Sequence, residues 1–488
     1  MNNSYRSIAK ANALFGGVQI YNILVGIIRS KIIAVILGPE GMGIMGLFNS
    51  TLDLIKSATN MGLQVSAVRE IALASNDNDT NKISQVSHVL SRLVWITGML
   101  GVFVTFFFAP YLSEFAFDNR NYTLHFRILS VALLISQQTV YYNVILQGMR
   151  KLRLLAQANI IGSTVGLCVI MPLYYFGGYD AIMPSIIITA AILYIVARYS
   201  AKGIKFESLS MQFKEILCKG GKMMTMGFLL SLTGLMDMIV AYLVKIAITH
   251  WGAVTDVGLY TAGYSIVLGY VGLVFSSIGT DYFPRLSVAS NNKEQYNNVI
   301  NQQFELLILV LTPLILIFIA FSPWLLHILY SSKFVSVSMM INWLAAGMIF
   351  RAIAWCPGFM YIAKNDTKLY LFIYVITIAV ELSLFIGFYY FMGLDGLGIS
   401  FFIMNFLSAI FTIVITKWRY GCSFGKISYK FMIYSIFTIA VTLAASYWSH
   451  SAKYLVFSSI IIFFLIISFR ELDKRLDVKQ IIRKRLHK

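Results

Sequence analysis

Apolar runs of about 20 residues recur along the whole chain, separated by short stretches where Lys, Arg, Asn, Ser and Gly collect. An α-helix rises ~1.5 Å per residue, so about 20 apolar residues cross the ~30 Å hydrocarbon core of a bilayer. Fourteen such spans are predicted, near 11–37, 43–66, 88–110, 126–147, 154–176, 180–198, 223–248, 255–280, 304–322, 338–362, 369–391, 397–416, 431–449 and 454–470. Hydrocarbon offers no partner for backbone N–H and C=O groups, so each run must satisfy its own as a helix. The expected fold class is therefore an all-α polytopic membrane protein with about 14 transmembrane helices.

The runs repeat. Tyr174-Tyr175-Phe176-Gly177-Gly178-Tyr179-Asp180 returns as Tyr389-Tyr390-Phe391-Met392-Gly393-Leu394-Asp395, an offset of 215 residues. The same offset carries Gly43 onto Gly258, Ala74-Ser75-Asn76 onto Ala289-Ser290-Asn291 and Arg153 onto Lys368. A unit of six spans is even, so both copies enter the membrane in one orientation, as two pseudo-symmetric six-helix lobes about an axis along the membrane normal. The predicted boundaries are 1–221 for the N-terminal lobe with its cytoplasmic linker and 222–425 for the second lobe. Residues 426–470 hold helices 13 and 14, outside the repeat, and 471–488 form a basic cytoplasmic tail. A short helix is expected in the 199–222 loop; the tail reads equally as an amphipathic surface helix or as a solvated basic segment.

Composition narrows the function classes. With 12% charged and 58% hydrophobic residues and a mean hydropathy of +0.75, the chain departs from the ~25% charge of soluble domains. The net charge of +18 does not require a nucleic-acid partner, because its distribution follows the positive-inside rule. With a cytoplasmic N-terminus, about 30 of the 39 basic residues lie inside, from Arg6 and Lys10 to the tail, against Arg120, Arg127, Lys333 and Lys453 outside. Both termini are then cytoplasmic, and the first apolar run is a retained helix. Cys168, Cys218, Cys356 and Cys422 are scattered and are expected to be buried small apolar residues.

The remaining five bases, Arg29, Lys31, Lys56, Lys245 and Arg351, fall within predicted spans, with three acids, Asp53, Asp237 and Glu381. A charge at bilayer depth costs roughly 2.5–3.5 kcal/mol on insertion scales, so it faces a partner or a wet cavity. Arg29 and Lys31 are two residues apart, hence about 200° around a helix, and cannot both point one way. Asp53 and Lys56, three apart, share a face and can neutralise each other. Arg351 and Glu381 each admit a reading as one half of a buried interhelical ion pair. Helix 4 adds Ser136-Gln137-Gln138-Thr139 with Tyr141, Tyr142 and Asn143, which can bind sugar hydroxyls or join helices. No nucleophilic, nucleotide-binding or metal motif is present, so no catalytic residue, metal or cofactor is expected.

The turn LGPEGMG (37–43), the junction QGMRKLRLLAQANIIGS (147–163) and the two-lobe repeat resemble the polysaccharide-transport flippases. These include the O-antigen flippases and belong to the multidrug/oligosaccharidyl-lipid/polysaccharide exporter superfamily. The resemblance implies a bacterial inner-membrane flippase that moves undecaprenyl-pyrophosphate-linked oligosaccharide, as in O-antigen or lipopolysaccharide biosynthesis, by alternating access. Gly26-Ile27-Ile28-Arg29 is similar to the basic helix 1 of lipid II flippases, and Lys56 matches a basic position in their helix 2 after a one-residue gap. Those relatives also have fourteen spans, where many O-antigen flippases have twelve. On this reading Arg29, Lys31, Lys56, Lys245 and Arg351 bind the pyrophosphate. Asp53, Asp237 or Glu381 would couple to protons, sodium or the membrane potential. Membrane lipids and a glycan polymerase are the expected partners. Two alternatives stay open: an ion-coupled drug or metabolite antiporter of the same fold, and a membrane glycan polymerase or ligase.

Overall fold

The structure is a computed structural model that describes residues 2–76, 79–204, 212–448 and 452–476. Lys205 and the tail from 477 onward lie outside the described residues, as do the side chains of Arg6 and Lys10. Every regular element among the described residues is helical, and the chain divides into two compact units, Met1–Gly258 and Leu259–Lys488.

The first unit holds α1 (Asn2–Ile36), α2 (Gly38–Asn60), α3 (Leu63–Asn76), α4 (Thr80–Phe107), α5 (Ala109–Phe117), α6 (Thr123–Gly148), α7 (Leu152–Gly177), α8 (Ile182–Ala201) and α9 (Phe213–Trp251). The start of α10 (Val254–Ile266) closes it. Only Leu37 separates α1 from α2: Gly38 takes φ +68° and Pro39 falls in the first turn of the new helix, where its missing N–H costs nothing. A second break at Met61 and Gly62 (φ +47° and +65°) divides α2 from α3. Leu63, Ala67 and Ile71 of α3 then pack among Val89, Leu90 and Leu93 of α4 and Val140 and Val144 of α6.

Glycines set the helix crossings of this unit. A side chain at Gly43 would begin 2.0 Å from the Val254 carbonyl oxygen, and one at Gly258 would begin 1.8 Å from that of Pro39. Gly258 and Val254 lie 215 residues after Gly43 and Pro39, so the repeat meets itself here in a reciprocal contact. Small residues at such points let helix backbones touch, which in lipid replaces a hydrophobic driving force. At the other end of α2, Gly62 and Gly227 of α9 approach equally closely.

The second unit continues with α11 (Gly272–Ala289), α12 (Lys293–Leu329), α13 (Ser338–Ala363), α14 (Thr367–Tyr420), α15 (Lys426–Ser446) and α16 (Lys453–Leu476). The last two, outside the sequence repeat, are bound to α12 at three levels. Ser428 and Arg475 both bond Glu305 at 2.9 Å, Thr312 donates to Ser435 at 2.9 Å, and Ser468 donates to the Leu309 carbonyl.

Among the described residues, eleven helical segments are long and apolar enough to cross a membrane, two of them, Leu152–Ala201 and Thr367–Tyr420, reaching 50 and 54 residues. The fourteen-span count rests on treating those two as pairs and α2–α3, which carries Glu40, Asp53 and Lys56, as a span of its own. Both long segments break at the repeated motif. Gly178 has φ +53°, ψ −131° and Gly393 has φ +61°, ψ −142°, a region open in practice to glycine alone. Gly178→Ala and Gly393→Ala are each expected to cost about 1–3 kcal/mol. Gly387→Ala, within a helix and facing open space, should cost nothing. Thermal melting of the purified proteins checks this; equal melting of all three would remove the break from the fold's requirements.

Two expectations need correcting. Residues 213–222 form the start of the continuous α9 rather than a separate short helix in the 199–222 loop. Cys168 and Cys218 are exposed, and only Cys356 and Cys422 are buried. Cys168 lies within a long apolar helix, where a face turned to lipid is as apolar as a core and burial gains it nothing; Cys218 lies in the first turns of α9, beside Lys219.

Candidate functional site

The charges of α2 are aimed by its other side. Phe48 is buried in a nest of aromatic rings from Phe117, Tyr122, His125 and Phe126, at 4 centroid distances between 5.1 and 6.2 Å. At about 100° per residue this locks Gly46, Ser50 and Asp53 onto the opposite face. There α9 meets them. The Lys245 ammonium donates to Ser50 Oγ at 2.5 Å and reaches the Gly46 carbonyl at 3.5 Å. Asp53 lies within electrostatic reach of both Lys56 and Lys245. One turn before Lys245, the hydroxyl of Tyr242 accepts from Thr51 at 3.1 Å, so the α2–α9 contact is pinned by two side-chain bonds.

Two ammonium groups therefore share one carboxylate. Lys245 is held by a neutral hydroxyl, which orients its charge without cancelling it. Asp53 remains open to solvent although protein surrounds most of it. A fixed positive charge is screened less where protein partly encloses it than at an open surface, so the two ammonium groups favour an anion.

Arg29 occupies a different place. Its guanidinium lies beside the hydroxyl of Tyr174 on α7, which also bonds Ser185 Oγ at 2.6 Å. Its Nε is buried with no hydrogen-bond partner, an unusual state for a group that costs so much to leave unpaired. α1 is joined to α7 again by Tyr21 to Thr164 at 2.6 Å and Ser163 to Asn22 at 3.2 Å. Lys31 is half-buried and also engaged. The structure thus brings Asp53, Lys56 and Lys245 together and sets Arg29 against α7. Asp237 is exposed on α9 and has its own interaction. Arg351 on α13 and Glu381 on α14 belong to the second unit, where Arg351 is exposed and Glu381 lies within electrostatic reach of Tyr260.

Ser50, Tyr174 and Tyr242 are neutral, so the pattern of charges along the sequence does not reveal them. The spacing Gly46, Ser50, Asp53 along one helix face was the signal for the first, and the repeated Tyr174 motif for the second. In the polar run of α6, Tyr141 bonds Ser87 of α4 at 2.8 Å, which joins helices, while both amide atoms of the buried Gln137 are unpartnered. Among the described residues no cluster of His, Cys, Asp and Glu is arranged to hold a metal ion.

This helical architecture is that of the multidrug/oligosaccharidyl-lipid/polysaccharide transporters. The lipid II flippase MurJ in an inward closed conformation matches 95% of this chain and 99% of its own, with a TM-score of 0.69 at 15% identity. An inward-facing multidrug resistance transporter of the MATE family matches 82% of this chain and 94% of its own, with a TM-score of 0.67 at 18% identity. Residues 32–339 match the polysaccharide biosynthesis protein family, and the chain belongs to it. Among its relatives, a Shigella flexneri protein provisionally named an O-antigen transporter is 25% identical over 79% of this chain and 90% of its own length. The lipid III flippase of Escherichia coli is 22% identical over 75% of this chain and 87% of its own. These relatives are transporters and flippases, not enzymes.

Proposed function

We propose that this protein is a flippase that moves an undecaprenyl-pyrophosphate-linked oligosaccharide from the cytoplasmic to the outer leaflet of a bacterial inner membrane. The observation that carries the reading is Lys245 oriented by Ser50 beside Asp53 and Lys56, a net positive cluster on α2 and on α9, the latter apolar enough to span a membrane. A diphosphate is its natural ligand, since ammonium–phosphate hydrogen bonds are charge-assisted and gain strength away from bulk water. Arg29, with its unpartnered Nε, and Lys31 are assigned to the same anion; Arg351, in the second unit, is proposed separately as a substrate-binding base. The relatives' names, an O-antigen transporter and a lipid III flippase, support a glycolipid cargo. The drug-antiporter reading is weaker, because cationic drugs need an acidic pocket and the α2–α9 cluster leans basic.

The test is complementation. Cells lacking the gene should lose surface glycan and accumulate the lipid-linked oligosaccharide on the cytoplasmic face, and the wild-type gene should reverse both. Unchanged surface glycan in the deletion strain would defeat the reading.

Coupling is assigned to Asp53, with Asp237 and Glu381 as the further acids. Asp53→Asn should keep substrate binding but lose the dependence of transport on the ion gradient or membrane potential. Transport by this variant that still collapses with the gradient, measured in proteoliposomes, would remove Asp53 from coupling.

A further inference from the structure

Away from the α2–α9 cluster, α3, α4 and α9 of the first unit enclose a second cavity of about 340 Å³. It lies where α4 and α9 begin, the end that the charge bias predicts to be cytoplasmic. Lys82, Lys219 and Lys222 stand at its rim against one acid, Glu70, and Val86, Val89, Met223 and Met226 line it with apolar surface. Lys219 Nζ donates to the neutral Gln85 Oε1 at 3.3 Å. Among the described residues, none of the three ammonium groups is ion-paired with a carboxylate.

A positive-inside bias accounts for lysines at this end of the bundle. It does not gather three of them around one recess, nor floor that recess with thioether and branched aliphatic side chains. The combination is chemically specific. Ammonium groups at a water-accessible rim bind phosphate oxygens, and methionine, unbranched and polarizable, adapts to the first carbons of an aliphatic chain. A free inorganic phosphate would use only the rim.

We propose that this cavity binds the phosphate headgroup of a membrane lipid. Two lipids carry that chemistry: an anionic phospholipid of the surrounding leaflet, and the diphosphate-linked cargo before it reaches the α2–α9 cluster. The site itself does not depend on the transport assignment made above.

Full-length protein purified in detergent would be titrated with phosphatidylglycerol, undecaprenyl diphosphate and phosphatidylcholine, and retained lipid counted by native mass spectrometry. Each variant is compared with otherwise wild-type protein, so the contribution of the α2–α9 cluster is common to both and cancels. Each lysine near a membrane surface contributes on the order of a tenfold effect or less, weakened by salt. Lys82→Gln/Lys219→Gln/Lys222→Gln is therefore expected to lower anionic-lipid retention by at least about tenfold, leaving phosphatidylcholine unchanged. Loss of phosphatidylglycerol alone identifies a bilayer lipid as the ligand, and loss of undecaprenyl diphosphate identifies the cargo. Equal retention of both by the two proteins overturns the proposal. Should the triple variant fail to fold, Glu70→Gln decides: it removes the one opposing charge and must strengthen anionic-lipid binding, and no gain overturns the site.

Discussion

Lys245→Met is expected to reduce surface glycan at least about tenfold, and pairing it with Asp53→Asn should separate structure from transport. Removing the ammonium leaves Asp53 with Lys56 as its remaining basic neighbour in the cluster. Asp53 is open to solvent and keeps Lys56, so the loss of stability stays well below the cost of breaking a fully buried pair. The single variant should therefore still accumulate in the membrane. The double variant removes the carboxylate that Lys245 and Lys56 share. If Lys245 serves only to neutralise Asp53, the double variant exports glycan as Asp53→Asn alone does. If Lys245 binds the diphosphate, the double variant exports less than Asp53→Asn alone. Quantifying both protein level and surface glycan reads the two effects separately, and export equal to that of Asp53→Asn would exclude Lys245 from substrate binding.

The second large effect belongs to Gly43. A valine there would place its Cβ 2.0 Å from the Val254 carbonyl oxygen, and a backbone atom cannot swing aside as a side-chain end can. Overpacking ordinarily costs about 1–3 kcal/mol, and a clash with main chain belongs at or above the upper end. Gly258→Val should behave alike, because its clash is with the Pro39 carbonyl at 1.8 Å. Gly26→Ala, whose added carbon would meet nothing within 4 Å, is the neutral comparison. Wild-type melting of Gly43→Val in detergent would show that the α2–α10 crossing tolerates separation.

Much of this architecture could be read before any coordinates. The repeat found from Tyr174–Asp180 and Tyr389–Asp395 reappears as two glycines, Gly178 and Gly393, with nearly the same unusual backbone angles. The tight turn at LGPEGMG is a single residue between two helices. The site was legible only in outline. Asp53 and Lys56 share a face because three residues is less than one helical turn, but their meeting with Lys245 joins positions nearly 200 apart. Ser50, which holds the ammonium, carries no charge and leaves no trace in a search for buried ions.

Hydrophobic run length and glycine placement were enough to determine a polytopic helical bundle and its internal repeat, because each acts over one helix and its flanks. Which charges meet, and which face of each helix they occupy, was decided by tertiary packing alone. In a bilayer the lipid-facing and protein-facing sides of a helix are equally apolar, so the rotation of α2 is not written in its hydropathy. It is set by Phe48 among its aromatic neighbours and by the glycine crossings, and these aim Ser50 and Asp53 at Lys245.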